Sequence, residues 1–247
     1  MTEQEWLACA DPGLMLEFLK GKASDRKLRL FACTCSRRMC HRWERLRVPE
    51  VVQNSADDDV GKHELRPPAF EISERFADGE IGLHEIRQFL NELGAMGGVS
   101  AAWALNCSEF AVLEENAEQA AIQAISCALH FAYFFTYEQT FSKLTYTGDG
   151  KKAAEAREAE RKKLPELVRE IFGNPFRPFT VDRRWFTQRI VGLAKEIYDA
   201  RAFERLPMLA DALEEAGCSN AEILNHCRGP SPHAKGCWVV DAVLGKE

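Results

Sequence analysis

Residues 24–46 read SDRKLRLFACTCSRRMCHRWERL. Leu28, Ala32, Cys35, Met39, Trp43 and Leu46 recur at alternating steps of four and three, the spacing of one helical face. Arg26, Lys27, Arg37, Arg38, Arg42 and Arg45 fall on the other side. This pattern predicts an amphipathic helix with an apolar core face and a basic, solvated face. Ser24 stands where a helix cap belongs, and Pro49 forces an end soon after Leu46.

Reading outward, helix punctuation dominates. Thr2 with Glu5 forms a capping-box pattern. Asp11-Pro12 is an N-cap followed by proline at the first helical position. Further helices are expected over 68–77, 83–93, 101–115 and 117–135. Residues 119–137, QAAIQAISCALHFAYFFTY, carry no charge, yet Gln119, Gln123, Ser126, His130 and Thr136 interrupt them, which argues for a buried core helix over a membrane span. Residues 151–163 are charged and alanine-rich, Pro165 restarts a helix and Gly173 stops it. The C-terminal part predicts helices over 187–200, 206–216, 220–227 and 235–244, with Ser219 as an N-cap and Gly217 and Gly229 as C-caps. The polar stretch 48–68, with the acid run Asp57, Asp58 and Asp59, reads as a loop with at most one short helix. Residues 179–181 are the best strand candidate, and a weak one. The fold class is therefore all-α, a multi-helix globular bundle of about nine to eleven helices. It divides into an N-terminal region 1–147 and a C-terminal region 148–247, or forms one continuous domain.

The N-terminus MTEQEWLACADPG has no basic region before an apolar run, so cytoplasmic residence is expected. Nine cysteines in a reducing compartment then read as free thiols, most of them small core residues. The net charge of −6 and the lack of a binding motif argue against nucleic acid, although residues 25–47 hold eight basic and two acidic residues. A solvated face, or a partner for the 57–59 acids, explains that helix better. No phosphate loop, dinucleotide fingerprint, HExxH or GxSxG appears.

Two groups carry candidate chemistry. Cys33 and Cys40 stand two turns apart, about 10 Å along a helix axis, too far to share one zinc ion. Cys35 joins the apolar stripe and His41 the basic side. At the C-terminus, residues 225–238 read NHCRGPSPHAKGCW. His226, Cys227, His233 and Cys237 offer two imidazoles and two sulfurs, a donor set that suits zinc. Against it, His226 and Cys227 point about 100° apart on a helix. The competing reading is a rigid turn between packed helices, with Cys237, Val240, Val243 and Leu244 as core and Trp238 as an anchor. Asp241, in the apolar run CWVVDAVL, needs a cationic or hydrogen-bonding partner if buried, with His233 and Arg228 as candidates. A Cys-His-Asp grouping around Cys227 or Cys237 would be a thiol nucleophile.

Aromatic residues offer a surface instead. Phe131, Tyr133, Phe134, Phe135, Tyr137 and Phe141 read first as core. Phe176, Arg177 and Phe179 lie in a proline-aromatic loop suited to a protein partner. Without catalytic signatures, the sequence favours a non-enzymatic interaction module with no cofactor. The alternative is a zinc-binding protein, structural before hydrolytic.

The stretches FGNPFRPF (172–179), RLPMLADALEEAGC (205–218) and HCRGPSPHAKGCWVVDAVLGKE (226–247) resemble the tail of an uncharacterised, paralogue-rich family of planctomycete bacteria. EWLACADPGLMLEFLKGKASDRKLRLFAC (5–33) is similar to the head of the same family. The resemblance implies a bacterial, cytoplasmic protein and carries over no catalytic residue.

Overall fold

The computed structural model describes residues 1–44, 69–94, 116–139, 148–177, 182–230 and 232–246. The expected loop at 48–68, the helix at 101–115 and the strand candidate at 179–181 lie outside them. Helices in chain order are α1 (Glu3–Ala8), α2 (Pro12–Leu19), α3 (Asp25–Glu44), α4 (Ala69–Ala77), α5 (Leu83–Gly94), α6 (Ala117–Gln139), α7 (Gly150–Arg161), α8 (Leu164–Phe172), α9 (Gln188–Ala200), α10 (Leu206–Glu215), α11 (Ala221–Arg228) and α12 (Trp238–Leu244). Short 3-10 turns at Arg183–Trp185 and Phe203–Arg205 complete the set. There is no strand among the described residues, so the all-α class holds. None of the described helices is long and apolar enough to cross a membrane.

The helix ends follow the local chemistry. Thr2 and Glu5 close a reciprocal capping box, and the Asp11 carboxylate accepts the amides of Gly13 and Leu14. Asn220, and not Ser219, caps α11 by accepting from the Glu222 and Ile223 amides. The last helix begins at Trp238 and not at 235, because Gly236 turns the chain at φ +96°.

Two compact units are present, Met1–Phe31 with Lys162–Glu247, and Ala32–Arg161. The first takes in residues from both ends of the numbering. In this unit α9 to α12 enclose a core of Ile190, Ala194, Ile197, Leu206, Leu209, Cys218, Ile223, Cys227, Cys237 and Val240, all buried. α2 packs on α8, and the Arg169 guanidinium donates to the carbonyls of Trp6 and Cys9. Trp6 is itself fully buried, so α1 is held by an apolar anchor and by charged hydrogen bonds.

In the second unit α6 lies along α7. Ala120, Ala121, Ala124, Ala128 and Ala153 are buried there, since small side chains let two helix backbones approach. Leu28, Ala32, Cys35 and Met39 of α3 are buried as the stripe predicts. The other face of α3 departs from expectation. Arg37 reaches the buried Glu74 at 3.3 Å and Arg38 reaches Glu160 at 3.0 Å, so within this unit these two bases face acids of α4 and α7 and are not simply solvated. Charge pattern separates a polar face from an apolar one, but it does not reveal what packs across from that face.

Candidate metal centre

The site grows from α8. Leu164, Leu167, Val168 and Ile171 are its buried face, and Glu170 follows Leu167 by three residues, at the edge of that face. Its side chain is fully buried. On α11 the apolar face is Ile223, Leu224 and Cys227. His226, three residues after Ile223, sits at its margin with 14% of its side chain exposed. His233 follows Pro232 in the connection to α12. Cys237 is the residue before α12, placed by a turn in which its amide donates to the Ala234 carbonyl at 2.9 Å.

These four side chains converge. One donor atom from each of Glu170, His226, His233 and Cys237 can be chosen so that all lie within 4.8 Å of one another. His226 Nε2 is 3.2 Å from Cys237 Sγ and 3.3 Å from Glu170 Oε2. His233 Nδ1 is 3.1 Å from the same Glu170 oxygen. The Ala234 amide donates to Glu170 Oε1, and the Trp238 indole N–H donates to His226 Nδ1 at 3.2 Å.

Three observations test whether a metal ion fits. A tetrahedral zinc ion with bonds of about 2.0–2.3 Å spaces its ligand atoms about 3.3–3.8 Å apart, and the separations of 3.1, 3.2 and 3.3 Å lie at or just under that spacing. His233 Nε2 is buried with no hydrogen-bond partner, a costly state for a polar atom. Glu170 has only the two imidazoles as ionic partners among the described residues. Burial holds the His226 imidazole below its usual range, only partly offset by Glu170, and so favours the neutral ring. One thiolate, one carboxylate and two neutral imidazoles would cancel a dication, and a neutral assembly suits a buried site.

Of the residues singled out from sequence, His226, His233 and Cys237 meet. Cys227 does not: it is fully buried in the apolar core, turned from His226 by the helical rotation, and Glu170 stands in its place. Glu170 was missed because a glutamate at the edge of an amphipathic helix ordinarily faces water. Its position three residues from Leu167 and one before Ile171 was the available signal.

The thiol-nucleophile grouping is not built. Asp241 is buried and its carboxylate takes Arg26 at 2.8 and 3.1 Å and Lys27 at 2.6 Å, while Arg228 goes to Asp211 and Glu214. Burial pushes the Cys227 thiol up to about 12 and the Cys237 thiol well above its usual range, opposite to an activated nucleophile. Iodoacetamide at neutral pH therefore spares Cys227 and Cys237 in the folded chain and reaches both in denaturant. Mass spectrometry of the labelled peptides checks this, and labelling of either in the folded chain contradicts it.

Two of the expected interaction residues have partners within the chain. Phe176 stacks on Phe18 at 5.2 Å, and Arg177 pairs with Glu3 at 2.6 Å. Phe179 lies outside the described residues. In the aromatic group of α6, Phe131 is buried as core.

Comparison with family models, with curated proteins and with solved structures found no match.

Proposed function

We propose that this chain is a zinc-binding protein whose ion is structural, held by Glu170, His226, His233 and Cys237. The convergence of these four donors within 4.8 Å carries the reading. A site with four protein ligands leaves no open position for substrate, which separates structural from catalytic zinc. Side-chain exposures of 14% or less at Glu170, His226 and His233, with Cys237 fully buried, support the closed form. The ion's role is to fasten α8, α11, the 229–237 connection and the start of α12 to one point. Zinc also suits the mixed sulfur, nitrogen and oxygen set better than magnesium or calcium, which take oxygen ligands.

One observation favours a second reading, a metal-free polar cross-link. The Trp238 indole donates to His226 Nδ1, which leaves the proton of a neutral ring on Nε2, between Cys237 Sγ and Glu170 Oε2. A metal on Nε2 requires that proton on Nδ1, so the indole bond is lost on zinc uptake. Metal analysis decides between the two. The zinc reading expects one zinc per chain, absent from a His226→Ala, Cys237→Ala variant, and a change in tryptophan emission on uptake that Trp238→Phe removes. Metal-free protein that takes up no zinc at micromolar concentration supports the cross-link instead.

A further inference from the structure

We propose that Lys27 is the positioning residue of this metal centre, an inference that rests on the zinc reading. An ammonium group has three N–H donors. Lys27 meets three acceptors: the Ile171 carbonyl at 3.0 Å, the Gly236 carbonyl at 2.7 Å and the Asp241 carboxylate at 2.6 Å. Ile171 follows Glu170 directly. Gly236 directly precedes Cys237, and Asp241 stands one helical turn beyond Cys237, its amide donating to the Cys237 carbonyl at 2.9 Å. One largely buried cation thus grips the backbone beside two ligands that stand 67 residues apart in sequence.

The grip depends on close approach. A side-chain carbon at Gly236 would meet Leu30 Cδ1 at 3.1 Å and its Cβ at 3.2 Å, and Leu30 stands three residues on from Lys27 on α3. The residue before the Cys237 ligand is therefore pressed against the same helix face that supplies the ammonium. Arg26 occupies the Asp241 carboxylate from a second direction and also donates to the Tyr198 hydroxyl at 2.7 Å, which fixes the acceptor that Lys27 shares. Lys27 makes no hydrogen bond or ion pair with any of the four donor atoms. It sets the distance between the Glu170 and Cys237 backbones, and with it the size of the cage.

A residue that merely stabilised the unit would change the unfolding midpoint and leave the cage alone. The test is zinc affinity, by competition with a chromophoric chelator, together with the visible ligand-field bands of the cobalt-loaded chain. Lys27→Met keeps the stem and loses all three donors. Lys27→Arg keeps the charge but spreads its donors in a planar fork that cannot serve three separate acceptors as an ammonium does. Leu209→Ala removes a core side chain distant in role from the site. Loss of a residue that orients ligands from outside the first contacts lowers metal affinity about 10- to 100-fold. Both Lys27 variants are expected to show that loss with shifted cobalt bands, whereas Leu209→Ala lowers the midpoint and leaves affinity and bands in place. If Lys27→Met does not fold, Lys27→Arg decides. Zinc affinity within about twofold of the parent chain in a folded Lys27 variant, against the 10- to 100-fold expected, overturns the proposal and leaves the zinc reading standing. A parent chain that binds no zinc overturns both.

Discussion

Zinc supplied at a thousand times its dissociation constant is expected to raise the unfolding free energy of the unit Met1–Phe31 with Lys162–Glu247 by about 4 kcal/mol. The donors run from Glu170 to Cys237, so the unfolded chain presents them scattered and the folded chain presents them together. Binding free energy then becomes folding free energy. For a unit of this size the midpoint rises by roughly 10–20 °C. Thermal unfolding followed at 222 nm, with zinc and then with a chelator, measures it. Cys237→Ala is expected to remove nearly all of the zinc-dependent increment, measured against that variant's own metal-free midpoint. The same midpoint with zinc and with chelator contradicts a structural ion.

Asp241→Ala has the second large effect. Asp241 is the common anion of Arg26 and Lys27, whose side chains are 12% and 13% exposed. Removing it leaves two largely buried cations without their shared carboxylate. Breaking a buried ion pair from one side costs about 3–5 kcal/mol, measurable by urea unfolding. Asp241→Asn, which keeps the shape and can still accept hydrogen bonds, costs less. Adding Lys27→Met to the Asp241→Ala chain recovers part of the loss, because one stranded charge is removed with it. A loss below 1 kcal/mol for Asp241→Ala would mean that water reaches the pair freely, against its burial.

These effects depend on contacts that sequence shows only in part. The helices were legible because their signals are local. The Thr2–Glu5 box, the Asp11-Pro12 start, the Gly173 stop and the stripe from Leu28 to Met39 each act within a few residues. The partner of Asp241 was not legible. The partners expected from sequence, His233 and Arg228, go elsewhere, while Arg26 and Lys27 arrive from 215 and 214 residues away. The basic face of α3 was visible as a face, but its turn toward Asp241, Glu74 and Glu160 depends on tertiary packing. The metal centre was legible in three of its four donors. Helical rotation already separated His226 from Cys227, and the ligand that replaces Cys227 comes from α8, outside the cysteine and histidine cluster that drew attention. Phe176 and Arg177 read as a loop because proline and aromatic residues mark loops; Arg177 is exposed there, and nothing local told that Phe18 and Glu3 would meet the pair.

X-ray absorption at the zinc edge of the purified, zinc-loaded chain tests the central claim most directly. One sulfur at about 2.3 Å and three nitrogen or oxygen neighbours at about 2.0–2.1 Å are expected, with no sulfur neighbour on any zinc that Cys237→Ala retains. A spectrum with no sulfur neighbour, or with six oxygen neighbours in its place, would contradict a cage built from Glu170, His226, His233 and Cys237.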